Sequence, residues 1–193
     1  MHQVTSPFNY QELKANLETR QRETMTIDEF RPAAVLVPLL KKESGYELLF
    51  TVRSSQLRSH AGQISFPGGR LDEGETIIDA ACRETFEEIG ISIDRQHILG
   101  FLDDHPSPAR YIVTPVLALV SWPQPLCVNH CEVDEVFTVP LETLLQLEPR
   151  AEDRELRNYK RKLHYYDYQG YSIWGLTGNV VKNFLDVWRQ VHE

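Results

Sequence analysis

The sequence predicts an α+β fold, an α/β/α sandwich built on a mixed β-sheet. Two observations carry this. Many strand candidates are interspersed with few helix candidates, and the two kinds do not alternate regularly, which argues against a doubly wound sheet. The 193 residues, 41% hydrophobic and 25% charged, have the length and composition of one globular domain, large enough to bury its core without disulfide staples.

In chain order, Asn9 to Arg22 reads as a polar helix with Tyr10, Leu13 and Leu17 on one stripe. Residues 1–30 are expected to be a helical extension and 31–193 the main domain. Ala33–Leu40 and Tyr46–Arg53 read as strands joined by KKESG. Ser54–Gly62 is a polar, basic loop, followed by a short strand at Gln63–Phe66 and a tight turn at Pro67-Gly68-Gly69. Glu75–Ile89 is a helix stopped by Gly90. Strands follow at Ile98–Leu102, Ile112–Val120 and Glu132–Val139, with the loops DDHPSPAR and Pro123–Pro125 between them. Leu141–Leu147 is a short helix. Leu163–Tyr168 and Tyr171–Trp174 form a hairpin turning at Gln169-Gly170, and Leu176–Val191 is a closing amphipathic helix.

The formal net charge of -8 disfavours non-specific binding to nucleic acid. No apolar run approaches the ~20 residues that span a bilayer, and the N-terminus lacks the pattern of a signal peptide. A cytoplasmic protein with no membrane partner is expected. Three cysteines, Cys82, Cys127 and Cys131, make no disulfide framework. His130 lies beside two of them, but a second ligand pair at zinc spacing is missing.

The chemistry is expected in Gly68–Ile91, GGRLDEGETIIDAACRETFEEIGI. On a helix, Glu84, Glu87 and Glu88 fall within about 100° of one another. Ile78, Cys82, Phe86 and Ile89 are expected on the core side, with the small Ala80 and Ala81 between. Like charges one turn apart destabilise an isolated helix; a hard divalent cation such as Mg²⁺ or Mn²⁺ would offset that. Arg83, four residues before Glu87, is placed to orient a carboxylate. The glycine-rich turn before the helix lets backbone N–H groups approach a phosphate.

This segment resembles the box of the Nudix family: Gly, five residues, Glu, seven residues, Arg-Glu, an aliphatic residue, any residue, Glu-Glu, any residue, Gly, an aliphatic residue. The matching positions are Gly69, Glu75, Arg83, Glu84, Glu87, Glu88, Gly90 and Ile91, and Thr85 departs from the aliphatic slot. The resemblance implies a Nudix-type α/β/α sandwich that hydrolyses a nucleoside diphosphate linked to another moiety. Glu84, Glu87 and Glu88 would then be the Mg²⁺ or Mn²⁺ ligands, and Glu75 and Arg83 structural.

The upstream run LLFTVRSSQLRSHAGQISFPGG is similar to the additional motif of the coenzyme A diphosphatase branch, through Leu48, Leu49, Thr51, Arg53, Arg58, Gly62, Phe66, Pro67, Gly68 and Gly69. Tyr111–Val116 and Ile173–Thr177 resemble that branch as well. The implied substrate is coenzyme A or its acyl derivatives, a small-molecule nucleotide, with Arg53, Arg58, Gly68, Gly69 and Tyr111 as binding residues; the alternatives are another nucleoside diphosphate derivative (ADP-ribose, NADH or an oxidised nucleotide) and nucleotide binding without turnover. Arg53 and Arg58, with His60 and Arg70, either grip a phosphate or pair with the helix carboxylates. Arg110 stands where the branch often has glycine, and would narrow the pocket or add a phosphate contact. Candidate catalytic carboxylates are Glu87, Glu88 and one of Glu132 and Glu135, with Glu132 preferred. Tyr165, Tyr166, Tyr168 and Tyr171 are read as sheet packing rather than a stacking surface, and Trp174 and Trp188 as core. Oligomeric state is left open, a homodimer included.

Overall fold

Strand β1 (Arg31–Lys42) is apolar on both faces, the pattern of a strand covered from two sides. The computed structural model, which describes residues 10–57, 60–156 and 159–192, shows what covers it. Ala34 and Leu36 pack under one helix with Ala80, Ala81, Val116 and Ala118. The alternate residues Val37 and Leu39 pack on the other face with Leu13, Leu17, Val180 and Phe184.

The first helix, α1 (Tyr10–Thr19), is shorter than expected; Asn9, the predicted start, lies outside the described residues. Then come β1, β2 (Gly45–Arg53), β3 (Ile64–Ser65), β4 (Gly68–Arg70) and α2 (Ile77–Ile89). They are followed by β5 (Ile98–Phe101), β6 (His105–Pro106), β7 (Tyr111–Ser121), β8 (Val133–Pro140) and α3 (Leu141–Gln146). Last are β9 (Arg150–Leu156), β10 (Tyr159–Tyr168), β11 (Tyr171–Ile173) and α4 (Gly175–His192).

The main sheet runs β3-β2-β1-β7-β5, with β4 on β1, β6 on β7 and β8 on β2. It is mixed: β1 and β7 are parallel from Arg31↔Tyr111 to Lys41↔Ser121, while β2 and β4 run antiparallel to β1. Helix α2 covers one face; α1, α3 and α4 cover the other. This is the α/β/α sandwich with a mixed sheet that the sequence predicts. A second sheet, β11-β10-β9, stands beside it. Its turn at Gln169-Gly170 has positive φ at both residues, 47° and 90°, as a two-residue hairpin requires.

Three expectations are corrected. The tight turn at Gly68-Gly69 is instead strand β4, paired with Val35 and Ala34. Phe86 is not on the core side of α2 but 59% exposed; Ala80 and Ala81 occupy that face, because only small residues let the helix lie this close to β1. Strand β9, RAEDREL, was not foreseen: its residues are mostly exposed, so it lacks an apolar alternation and forms through backbone pairing with β10.

The segment after α1 is latched by two adjacent carboxylates. Asp103 accepts from Arg20 (2.6 Å), the Glu23 N–H (2.9 Å) and Asn183 (2.6 Å). Asp104, 6% exposed, accepts from Arg22 (2.8 Å), the Met25 N–H (3.0 Å) and the Thr114 hydroxyl (2.7 Å). Removing such an acceptor leaves three donors without it. Asp104→Ala is therefore expected to cost about 2–4 kcal/mol of folding stability, measured by urea unfolding.

Candidate active site

Helix α2 begins at Ile77, two residues later than expected, because Thr76 is its N-cap: the hydroxyl accepts from the Asp79 N–H at 3.2 Å. Glu75 is thereby left in the preceding loop, where its carboxylate accepts from the Asp72 N–H at 2.9 Å. Arg83 reaches back one face of the helix to Glu75, with Nε and Nη2 at 2.9 and 3.0 Å. Its Nη2 also donates to the Arg70 carbonyl at 3.0 Å. The remaining nitrogen, Nη1, donates to Glu84 at 3.0 Å and Glu87 at 3.2 Å. One guanidinium thus ties the glycine-bearing loop to the helix and holds two carboxylates side by side. Its hydrogen bonds hold the Glu75 carboxyl below the usual range, and Glu75 in return raises the Arg83 pKa.

Glu88 is different. It is 3% exposed, and its Oε2 is buried without a hydrogen-bond partner. Burial pushes its pKa up to about 8, and the charges of Glu84 and Glu132 push the same way. Arg53 and the Gly68 N–H oppose this only in part. Glu84 is also raised, chiefly by burial. Glu87 is half-exposed at the rim. The Glu84 carboxylate occupies the space above Gly69: a Cβ there would lie 2.3 Å from the Glu84 Oε1 and displace that carboxylate. At position 68, where φ is 154°, a Cβ would meet the Ala34 carbonyl at 2.3 Å. Thr85, in the aliphatic slot, is fully buried, and its hydroxyl donates to the Ala81 carbonyl at 2.6 Å. Its polar group is satisfied within the helix.

The C-terminal end of α2 is closed by Gly90, left-handed at φ 77°, and by a crossing loop. The Cys127 and Asn129 N–H groups donate to the Ile89 and Glu88 carbonyls at 3.0 and 2.9 Å. Cys127 lies so close that a Cβ at Gly90 would sit 2.6 Å from its own. This loop delivers Glu132 to the acidic face, within charge range of Glu84 and Glu88. Glu132 lies in the turn before β8, not on the strand as expected. Glu135 goes elsewhere, accepting a hydrogen bond from the Tyr171 hydroxyl.

Beside the acidic face opens a cleft of about 400 Å³, lined by Arg53, His60, Tyr111, Val113, Trp174 and Thr177 among others. A shallower groove at Gly68, Gly69 and Arg70 shares Ser107, Tyr111 and Val113 with it. Arg53 thus faces both the cleft and Glu88. Arg70 lies over the Tyr111 ring at 5.8 Å. Arg58 lies outside the described residues. Arg110 does not enter either cavity; its guanidinium pairs with Glu29 at 2.9 Å. Its φ of 63° lies in the left-handed region, which glycine adopts without strain. Trp174 is not core: it is 42% exposed, stacked on Tyr165 at 5.7 Å, and lines the cleft. Trp188 is core, as is Tyr166, while Tyr171 stacks on Phe137 at 3.9 Å. Sequence reasoning missed Trp174 as a cleft residue and Asn129 altogether, although an asparagine in a polar loop is a turn signal.

The donor chemistry fits a hard divalent cation: clustered carboxylates on one helix face, with a buried carboxylate oxygen lacking a partner. The side chains are not drawn onto one point; Arg83 holds Glu84 and Glu87, and among the described residues no three His, Cys, Asp or Glu groups converge as a cage.

Comparison with known proteins decides the family. The NUDIX domain model matches residues 30–161. The chain belongs to the Nudix family. It is 40% identical over 156 residues to the uncharacterized Nudix hydrolase NudL of Photorhabdus laumondii, spanning 80% of this chain and 83% of that protein. It is 38% identical over 161 residues to the mitochondrial coenzyme A diphosphatase NUDT8 of Homo sapiens, spanning 80% of this chain and 68% of that one. Its fold is like that of a MutT/nudix family protein from Enterococcus faecalis, with a TM-score of 0.57 at 15% identity over 96% of this chain and 75% of that one. No helix among the described residues is long and apolar enough to cross a membrane.

In this Nudix hydrolase, the raised pKa of Glu88 has a consequence for stability. Between the ordinary carboxylate range and about 8, the folded chain holds a proton that the unfolded chain has released. Stability of the metal-free protein therefore falls as pH rises through that window. In EDTA, Glu88→Gln should remove much of this slope and melt at a higher temperature than wild type at pH 8, as read by thermal scans across pH.

Proposed function

We propose that this Nudix hydrolase cleaves the diphosphate of coenzyme A or an acyl derivative, releasing 3′,5′-ADP and 4′-phosphopantetheine or its acylated form. One observation carries the reading. The three segments that resemble the coenzyme A diphosphatase branch outside the box all contribute to one cleft: Arg53 upstream, Tyr111 and Val113 in the middle, and Trp174, Gly175, Leu176 and Thr177 at the end. The activity named for the human relative supports the same choice.

Glu84, Glu87 and Glu88 would hold Mg²⁺ or Mn²⁺. When bound, the cation supplies positive charge to the diphosphate oxygens and to the charge developing at phosphorus. The chain's own residues do the rest. Gly68 and Gly69 keep the floor beside the carboxylates free of side chains, so the diphosphate approaches closely. Arg83 and Glu75 fix the loop that carries those glycines. Arg53, at the junction of cleft and acidic face, donates to phosphate oxygens. The mainly apolar cleft takes the organic part of the substrate. Glu132 accepts a proton from the attacking water as its oxygen bonds to phosphorus; the bridging P–O bond breaks, and its oxygen leaves on the other phosphate. Glu132 suits this task because Arg83 leaves it free, whereas Glu84 and Glu87 share that guanidinium.

The test is incubation of purified protein with coenzyme A and Mn²⁺, with products resolved by chromatography. Equal amounts of 3′,5′-ADP and 4′-phosphopantetheine are expected, with slower turnover of ADP-ribose and NADH. Glu88→Gln should lower kcat about 100-fold or more, and Arg53→Ala should raise KM about tenfold. No 3′,5′-ADP above background, with another nucleotide consumed, would overturn the substrate assignment.

A further inference from the structure

Asn129 makes five hydrogen bonds, and together they join the two halves of the acidic face. Its N–H donates to the Glu88 carbonyl at 2.9 Å, and its carbonyl accepts from the Glu132 and Val133 N–H groups, both at 2.9 Å. Its side-chain Oδ1 accepts from the Cys131 N–H at 3.2 Å, closing a turn over residues 129–131. The other end of the same amide, Nδ2, donates to the Glu132 Oε1 at 3.2 Å. Helix α2 and the loop before β8 come from distant parts of the chain, so a carboxylate on that loop has no local reason to face Glu88. One residue bonded to the backbone of Glu88 and to the side chain of Glu132 supplies the reason.

The geometry points to Asn129 as the positioning residue for Glu132. Resting on the reading of Glu132 as proton acceptor, it assigns the asparagine amide two tasks. Donation to Oε1 fixes the carboxylate rotamer toward the acidic face and leaves Oε2 for the water proton. An amide does this without adding charge, whereas a lysine there would pair with Glu132 and an aspartate would repel it. The role is to aim the carboxylate, not to touch the reacting atoms.

The experiment is a double-mutant cycle of Asn129→Ala with Glu132→Ala, run with Mn²⁺ on whichever nucleotide the wild-type enzyme turns over. Asn129→Ala should lower kcat roughly tenfold or more with KM changed less than about twofold. In the Glu132→Ala background the same substitution should have no further effect. Asn129→Asp retains the Oδ1 acceptor that closes the turn and replaces the donor to Glu132 with a like charge, so it should lose kcat while keeping the turn, and folding, even where Asn129→Ala folds poorly. Wild-type kcat in Asn129→Asp, losses that multiply in the cycle, or a fully active Glu132→Ala would each overturn the assignment. Because the cycle does not require coenzyme A, its failure is separate from failure of the substrate reading.

Discussion

A carboxylate buried with one oxygen unpartnered is costly, because desolvation penalises its charged form, and the site is organised around such a group at Glu88. Its burial follows from how α2 lies on the sheet. Ala80 and Ala81 bring the helix down onto Ala34 and Leu36, and β4 passes beside it as a strand carrying glycine at 68 and 69. The crossing loop then caps the Glu88 carbonyl. Packing that would elsewhere serve stability alone here places an acidic group where water does not compensate it, beside two further carboxylates.

Two arginines divide the electrostatic work. Arg83 is spent within the motif, with contacts to Glu75, Glu84, Glu87 and the Arg70 carbonyl. It has little left for a ligand, and its effect is to hold loop and helix as one body. Among the described residues Arg53 makes no such close set of ion pairs; it approaches Glu88 and lines the cleft. In a chain with a net charge of -8, Arg53 brings positive charge to the junction between the carboxylates and the cleft.

The likeness in fold to a MutT/nudix protein at 15% identity separates scaffold from specificity. The fold persists with few residues in common, whereas the lining of a cleft is free to change. The cleft of this chain is lined from outside the helix by Arg53, Tyr111 and Trp174, carried by β2, by β7 and by the junction of β11 with α4.

The order of the main elements, the layered fold and the Gly69-to-Ile91 spacing were legible in the sequence, because each rests on local periodicity or on residues within a few turns of one another. Helix α2, its glycine stop and the buried strand β1 are of this kind. What the sequence did not disclose depends on partners far along the chain. Gly68 and Gly69 read as a turn until β1 pairs with them; β9 has no apolar alternation and exists because β10 is beside it. Phe86 and Trp174 are apolar residues whose exposure is decided by the neighbours that fail to cover them. Above all, the meeting of Glu88 with Glu132, and the asparagine that joins them, required the loop before β8 to cross the end of α2: a contact between segments some forty residues apart, fixed by backbone hydrogen bonds that form whatever the side chains are and that no residue pattern therefore records.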